Sequence, residues 1–191
     1  MTTLQQHAAD HLAITLTDDQ IAQFDALESL LLSWNERVNL TAITDPEQVR
    51  TRHFLDSLSV AKAVNLKAMH KAVDVGTGAG FPGLPLAIAF PSLQVTLMDS
   101  TGKKVRFIEH VIGELGLTNA TAIQIRAEDA GRDPSHRGAY DLVTARAVAR
   151  MPALMEYTLP LANLQGVVVA LKGETAQEET DDAKRAITAF G

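Results

Sequence analysis

The chain has 191 residues, of which 46% are hydrophobic and 21% charged, so it can form one α/β domain with a sizeable core and a small extension. It has no cysteine, which excludes disulfides and thiolate metal ligands, and we expect no metal site. A net charge of −6 argues against nonspecific binding to nucleic acid. The sequence has neither a signal-peptide pattern nor an apolar run of membrane-spanning length, so we expect a cytoplasmic protein that contacts no membrane.

The acidic charge is concentrated in the first third of the chain. Residues 1–66 carry 4 basic and 9 acidic side chains, whereas residues 67–171 carry 10 basic and 9 acidic ones. A site for a polyanion is therefore expected on the middle segment. Its candidate residues are Lys103, Lys104, Arg106, Arg126, Arg132, Arg137, Arg146 and Arg150.

Residues 1–66 are predicted to form a helical extension. The segment Thr17-Asp-Asp-Gln20 has the spacing of a capping box, and the apolar residues that follow predict a helix over about 18–38. The pair Asp45-Pro46 offers an N-cap and a favourable first helical residue, so a second helix is expected over about 46–64.

This second helix carries a polar cluster. His53 precedes Asp56 by three residues and Ser57 by four, so the three side chains share one face of a helix. These residue types could form a hydrolase triad, but the chain contains no G-x-S-x-G nucleophile elbow. A hydrogen-bonded cluster facing a ligand pocket is therefore the favoured interpretation.

From residue 67 onward, strand and helix patterns alternate. Strands are predicted at 72–75, 94–98, 121–126, 141–145 and 166–171, and helices at 82–89, 102–115, 151–162 and 174–188. Each strand–helix step has the length of a right-handed crossover, so residues 67–191 are expected to form a Rossmann-like, doubly wound parallel sheet. Folds of this class end with two further strands, and we expect this sheet to lack them.

The first predicted strand ends in a glycine-rich turn. Glycines stand at positions 76, 78 and 80, and the apolar segment 84–90 follows as a predicted helix. Strand, glycine turn and helix bring backbone N–H groups close to a nucleotide-like ligand. Gly76 and Gly78 are therefore predicted to bind a cofactor.

Two other residues of this turn distinguish between nucleotide cofactors. Phe81 occupies the position at which the dinucleotide fingerprint would have its third small residue. Asp74 would direct a carboxylate toward the turn, where it would repel the phosphates of a dinucleotide. An ammonium or sulfonium group would tolerate or attract that carboxylate. The chemistry therefore favours S-adenosylmethionine, and a NAD-dependent oxidoreductase is the weaker alternative.

Further candidates follow the other predicted strands, at the edge where open α/β sheets bind their ligands. Asp99 ends the second strand, where an acid hydrogen-bonds a ribose diol, and Ala127 and Glu128 follow the third strand beside the expected adenine. Arg146 follows a buried apolar run, and a guanidinium there is costly unless it meets an anion, a base or a carboxylate.

Six segments together carry a resemblance to a known family. They are Trp34-Asn-Glu-Arg-Val-Asn-Leu-Thr41, Arg52-His-Phe-Leu-Asp-Ser57, Asp74-Val-Gly-Thr-Gly-Ala-Gly-Phe-Pro-Gly83, Asp99-Ser-Thr-Gly-Lys-Lys-Val-Arg-Phe107, Ala145-Arg-Ala147 and Ala170-Leu-Lys-Gly173. Over about residues 20–175 the chain resembles the small-subunit ribosomal RNA guanine-N7 methyltransferases, also called the glucose-inhibited division protein B family (RsmG/GidB).

The resemblance implies a class I S-adenosylmethionine-dependent methyltransferase whose acceptor is a guanine of 16S rRNA. It implies that the cofactor contacts Gly76, Phe81, Ala127, Glu128 and Arg146; Asp99 is added from its position. Guanine N7 carries a lone pair and no proton, so its methylation needs an in-line approach to the methyl group and no general base. Arg146 is the predicted catalytic residue.

The remaining predictions concern the acceptor. The segment with Arg52 and His53 is predicted to hold a phosphate or the base, and Lys103, Lys104 and Arg106, at the start of a helix, suit backbone phosphates. Arg126 belongs to the same basic segment of the chain. We expect a monomer that acts on 16S rRNA within a small ribosomal subunit or its precursor. A methyltransferase acting on another RNA, a protein or a small molecule, and a non-catalytic cofactor-binding protein, are the alternatives.

Overall fold

Five parallel strands form the centre of the molecule in a computed structural model that describes residues 3–173, 176, 178–181 and 183. The strands are β1 (Lys71–Val75), β2 (Gln94–Asp99), β3 (Ala120–Gln124), β4 (Tyr140–Arg146) and β5 (Ala162–Leu171). Within the described residues their order in the sheet is β3-β2-β1-β4-β5, with every neighbouring pair parallel. The strand order reverses next to β1, and that crevice is where doubly wound sheets bind ligands.

Helices cover both faces of this sheet. They are α1 (Thr3–Leu12), α2 (Asp18–Val38), α3 (Pro46–Val49), α4 (Asp56–Leu58), α5 (Gly83–Ala89), α6 (Gly102–Glu114), α7 (Ala127–Ala130) and α8 (Met151–Thr158), with a π-helical turn at Arg50–Leu55 and short 3-10 turns at Ser59–Lys62, Leu66–Ala68 and Leu159–Leu161. On one face, Phe24 and Leu31 of α2 share a buried core with Leu84 of α5 and Phe107 of α6. The N-terminal helices are thus attached to the sheet through the helices that carry the glycine turn and the Asp99 loop.

Several predicted elements are confirmed. Helix α2 spans the predicted residues, and the capping box at its start is complete: the Thr17 hydroxyl accepts from the Gln20 N–H, and the Gln20 side chain accepts from the Thr17 N–H. The five strands lie within a few residues of their predicted positions, although β5 begins at Ala162, four residues early. The division into domains at residue 66 stays a prediction, and the predicted helix over 174–188 lies largely outside the described residues.

The prediction of one regular helix over 46–64 is wrong, because the segment is helical but irregular. It consists of α3, the π-helical turn, α4 and a 3-10 turn. The wider π turn lets two adjacent side chains, His53 and Phe54, both face the interior, where Phe54 packs on Phe24 and His53 stacks on Phe81. This tertiary packing has no local signal in the sequence, and neither α1 nor α7 was predicted.

In the described part of the chain, no helix combines the length and apolar character needed to cross a bilayer. The same residues contain no group of three or more histidine, aspartate or glutamate side chains placed to hold a metal ion.

Candidate active site

The glycine turn after β1 has a backbone that only glycine adopts easily. Gly76, Gly78 and Gly80 have φ values of +64°, +63° and +91°. A Cβ atom at Gly76 would lie 2.7 Å from Cγ2 of Val148, whereas one at Gly78 would meet only the Gly76 carbonyl, at 3.9 Å. Gly76 therefore allows close packing against the loop after β4, and Gly78 leaves open space for a ligand.

Asp74 holds this turn in place. Its Oδ2 accepts hydrogen bonds from the Thr77 hydroxyl at 2.6 Å and the Gly83 N–H at 2.8 Å, and its Oδ1 accepts from the Thr144 hydroxyl at 3.2 Å. The side chain is 1% exposed, and burial raises its pKa to about 6 against the opposing effect of these donors. The carboxylate points at the turn, as expected, but it secures the loop from behind and does not offer a direct contact to an ammonium group.

A first cavity of about 350 Å³ opens at the carboxyl ends of β1, β2 and β3. Its wall includes the predicted cofactor residues Gly76, Asp99, Ala127 and Glu128, together with apolar Met98, Ile125, Val148 and Tyr157. Apolar surface for a flat base beside a carboxylate for a diol fits the adenosine part of S-adenosylmethionine. We call this space the donor cavity.

Asp99 connects the donor cavity to the glycine turn. Its Oδ2 accepts from the Gly78 N–H at 3.0 Å and its Oδ1 from the Thr101 N–H at 2.8 Å, while the Lys104 ammonium lies 3.7 Å from Oδ2. Asp99 is not the N-cap of the next helix, because the residue before α6 is Thr101. Each carboxylate oxygen can accept a further bond, so the residue remains able to bind a ribose.

A second cavity of about 200 Å³ adjoins the first and shares Gly76, Lys104 and Ala147 with it. Its remaining wall comprises Leu40, Thr41, His53, Thr77, Gly78, Ala79, Phe81 and Arg146. We call it the transfer cavity, because it joins the glycine turn to the residues predicted for the acceptor. Ala147, which lines both cavities, has a φ of +55°, a strained conformation for a non-glycine residue that is common at functional sites.

Arg146 is the centre of a hydrogen-bond network at the transfer cavity. Its Nη1 donates to the Arg52 carbonyl at 3.1 Å and to the Asp56 carboxylate at 3.0 Å, and its Nη2 donates to Nδ1 of His53 at 3.1 Å. The guanidinium also lies over the ring of Phe81, 5.3 Å from its centroid. The Asp56 carboxylate and the Phe81 ring are thus the anion and the aromatic partner that this largely buried guanidinium requires.

His53 is held as a neutral ring. It is 8% exposed, stacks on Phe81 at 4.5 Å between ring centroids, and contacts the Thr41 hydroxyl through Nε2 at 2.9 Å. Burial, with the positive charge of Arg146 as the second cause, lowers the pKa of His53 to about 4. Of the expected cluster, the His53 and Asp56 side chains are joined through Arg146, and Ser57 donates to the backbone carbonyl of His53 and not to its ring.

A third cavity of about 580 Å³ continues from Arg146 and Ala147 toward β5. Besides Arg146, its charged side chains are Arg52, Asp56, Lys172 and Glu179. The Lys172 ammonium pairs with the Glu179 carboxylate at 2.7 Å, and the Arg52 side chain is exposed at the rim. We call it the acceptor cavity, since it lies beyond Arg146 from the donor cavity.

The structure distributes the residues predicted to bind RNA among the three cavities and the exposed surface of α6. Arg126 and Lys104 line the donor cavity, and Lys104 also lines the transfer cavity. His53 lies in the transfer cavity, and the Arg52 side chain belongs to the acceptor cavity. Lys103 and Arg106 are exposed on α6 and line none of these cavities.

Sequence reasoning did not single out Thr41 or Ala147 as site residues, and it placed Asp56 in the polar cluster without its partner Arg146. All three lie in or next to segments that carry the family resemblance, and this was the available signal. Two of them are placed by hydrogen bonds outside their own segment: Asp56 binds Arg146, 90 residues away, and Thr41 binds His53, 12 residues away.

The parallel sheet, the glycine turn after its first strand and the acid after its second define a class I S-adenosylmethionine-dependent methyltransferase fold. Solved structures agree. An O-methyltransferase from Bacillus cereus in complex with SAH superposes with a TM-score of 0.61 at 17% identity, covering 98% of this chain and 86% of that one. An S-adenosylmethionine-dependent O-methyltransferase from Thermotoga maritima gives a TM-score of 0.58 at 16% identity, covering 83% and 55%.

The sequence comparisons identify the family. The family model described as rRNA small subunit methyltransferase G matches residues 20–191. A protein of Desulfitobacterium hafniense named ribosomal RNA small subunit methyltransferase G is 48% identical over 180 residues, 94% of this chain and 74% of that protein. A Geobacillus protein of the same name is 45% identical over 192 residues, covering 100% and 81%. The chain belongs to the rRNA small subunit methyltransferase G family, and the predicted family, fold class and cofactor are confirmed.

Proposed function

We propose that this protein transfers a methyl group from S-adenosylmethionine to N7 of a guanine in 16S rRNA, by direct in-line attack. The observation that carries this proposal is the transfer cavity, which Arg146 lines and which shares wall residues with both the donor cavity and the acceptor cavity. A fixed guanidinium, an aromatic ring and a neutral histidine meet there, and none of them is a free base. Such a cavity suits an acceptor atom that already has a lone pair.

The donor cavity supplies the residues that would hold S-adenosylmethionine, which provides an electrophilic methyl group when bound. Asp99 would accept from the ribose, Met98 and Ile125 would contact the base, and Ala127 with Glu128 would meet its polar edge. The open space at Gly78 would admit the methionine part of the molecule. These roles follow from position and from the chemistry of each side chain.

Arg146 would orient the acceptor. Its side chain is 19% exposed, and the bonds to Arg52, His53 and Asp56 use three of its five N–H donors. The Nε–H and one Nη2–H have no partner among the described residues, so they remain available to a phosphate or a base oxygen. Neutral Phe81 and His53 offer π density beside a base that becomes cationic on methylation.

Exposed Lys103 and Arg106 would contact backbone phosphates outside the cavities, and Arg52 would do so at the rim of the acceptor cavity. The net charge of −6 supports an assembled subunit or its precursor as the acceptor, because ribosomal proteins can supply cationic surface that attracts an acidic enzyme. We further propose that the protein is cytoplasmic and that it is a monomer. Sedimentation at several concentrations would test the monomeric state.

The central experiment offers the same enzyme several acceptors. Labelled S-adenosylmethionine is incubated with the protein and naked 16S rRNA, small subunits, free nucleosides or a mixture of cellular proteins, and the labelled base is mapped by chain cleavage at 7-methylguanine. We expect one labelled guanine in 16S rRNA. Label in protein or in free nucleosides only, or at a position other than N7, would refute the proposal. Calorimetry should detect S-adenosylmethionine and give no signal with NAD.

A further inference from the structure

Thr41 is held in the wall of the transfer cavity by the end of α2. Asn39 takes a left-handed conformation with a φ of +50°, which turns the chain back on the helix. The Asn35 side chain then accepts from the N–H groups of Leu40 at 2.6 Å and Thr41 at 2.9 Å, and donates to the Thr41 carbonyl at 2.9 Å. Three bonds from one amide thus fix the backbone that carries the Thr41 hydroxyl.

The contact between Arg146 and His53 determines which nitrogen of the imidazole carries the proton. A guanidinium has only donors, so Nδ1 of His53 must accept at 3.1 Å and is unprotonated. The neutral ring therefore carries its proton on Nε2. That N–H donates to Oγ1 of Thr41 at 2.9 Å, so in this contact the threonine oxygen is the acceptor.

The Thr41 oxygen accepts a second bond, from the N–H of Ile43 at 3.1 Å. A hydroxyl oxygen has two lone pairs, and both are now used. Its own hydrogen has to be donated elsewhere, and no residue that the structure describes accepts it. Because Thr41 lines the transfer cavity, its hydroxyl is prepared as a donor to a ligand there and cannot serve as an acceptor.

Arg146, like the Thr41 hydroxyl, can only donate hydrogen bonds to a ligand. Its two remaining N–H groups are donors, so Thr41 and Arg146 together select a ligand that presents acceptors. The Hoogsteen edge of guanine presents two acceptors, O6 and N7, whereas that of adenine presents a donor in place of O6. N7 has to stay free for the methyl group, which leaves O6 for a hydrogen bond.

We propose that the Thr41 hydroxyl donates a hydrogen bond to O6 of the acceptor guanine and helps to select guanine. This inference rests on the proposed function and deepens it. The carboxylate of S-adenosylmethionine is a second source of acceptor oxygens in the same cavity, so the experiment has to separate the base from the methyl donor.

The experiment pairs an enzyme variant with a modified base. Thr41→Val removes the hydroxyl at nearly constant shape, Thr41→Ser keeps it, and Thr44→Val is the matched control, since Thr44 is exposed in the same loop. Each protein is given 16S rRNA carrying guanine or 2-aminopurine at the methylated position, because 2-aminopurine lacks O6 and keeps N7. Single-turnover rates give a guanine/2-aminopurine ratio for every enzyme.

We expect Thr41→Val to lower this ratio by roughly tenfold relative to the wild type, the scale of one hydrogen bond in a closed site. Thr41→Ser and Thr44→Val should keep the wild-type ratio. The affinity of Thr41→Val for S-adenosylmethionine, measured by calorimetry, should stay within about twofold of the wild type, which also shows that the variant is folded.

Equal ratios for Thr41→Val and the wild type would overturn the inference alone. A loss of affinity for S-adenosylmethionine as large as the loss of rate would assign the hydroxyl to the donor's carboxylate and would also overturn it. A wild-type enzyme that methylates no guanine in rRNA would overturn the proposed function and this inference together.

Discussion

The donor and acceptor halves of the site are built in different ways. On the donor side, Gly76 directly follows β1 and Asp99 ends the neighbouring strand β2, and the Gly78 N–H bonds directly to Asp99. On the acceptor side, His53 and Arg146 stand 93 residues apart, in the N-terminal helices and β4, and meet only through their side chains. Backbone geometry thus forms the first half, while a network of side chains forms the second, so different substitutions should damage each half.

Arg146→Ala should have the largest effect. It removes three hydrogen bonds and leaves the Asp56 carboxylate and Nδ1 of His53 without their shared donor. We expect kcat/KM for methyl transfer to fall by roughly 100-fold, about 2.7 kcal/mol, while affinity for S-adenosylmethionine changes much less. Arg146→Lys keeps the charge but loses the planar fork, so it should recover only part of the activity. Near-normal turnover of the alanine variant would remove Arg146 from the site.

Gly76→Ala should break the donor half through the backbone. The new Cβ would lie 2.7 Å from Val148, which lines the donor cavity, and φ is +64°. We expect about 1–3 kcal/mol of lost stability and at least roughly tenfold weaker binding of S-adenosylmethionine. Gly113→Ala in α6 is the matched control, because nothing lies within 4 Å of its Cβ position, and it should gain about 0.5–1 kcal/mol. Equal behaviour of the two variants in urea unfolding would contradict this account.

Each half of the site contains one buried group whose titration should change stability with pH: Asp74 behind the glycine turn and His53 on the acceptor side. Between about pH 4 and 6 the native state keeps a proton on Asp74 that the unfolded chain releases, so Asp74 lowers stability as the pH rises. His53 acts in the opposite sense from about pH 4 to 6.5, because the unfolded chain binds a proton that the native ring does not. The two contributions, each about 3 kcal/mol in full, should largely cancel in the wild type between pH 4 and 6.

His53→Asn keeps an acceptor for Arg146 and removes the titration of the ring. Its free energy of unfolding should therefore decrease, relative to the wild type, by about 1.4 kcal/mol per pH unit between pH 4 and 6. Urea unfolding at half-unit pH intervals measures this slope. Parallel curves for the variant and the wild type would show that His53 is not held neutral.

Substitutions of the basic residues of α6 should have the smallest effects, and they should separate RNA binding from binding of S-adenosylmethionine most clearly. Lys103→Ala and Arg106→Ala should each weaken RNA binding about threefold and reduce the slope of log Kd against log salt by about one, leaving affinity for S-adenosylmethionine unchanged. Lys104→Ala should alter that affinity as well, since its ammonium lies 3.7 Å from Asp99 in the donor cavity. If all three variants behaved alike, the separation of Lys104 from its neighbours would be wrong.

Much of the donor half could be predicted from the sequence because it depends on local pattern. The alternation of apolar runs gave the parallel sheet, and glycines at fixed spacing with an acid after the next strand located the cofactor edge. For the acceptor half, the sequence indicated candidate residues but not the contacts that join them. The π-helical turn that buries both His53 and Phe54 depends on packing against Phe81 from another element, and such contacts leave no local period.

The sequence by itself determined the family, the class of fold and the turn at Gly76, because these depend on residue types at short, regular spacing. Only the tertiary structure decided that Asp74 supports the loop from behind and that Arg146 keeps the proton of His53 on Nε2. Proton positions and burial depend on which distant groups come within about 3 Å, and the folded chain alone brings them there.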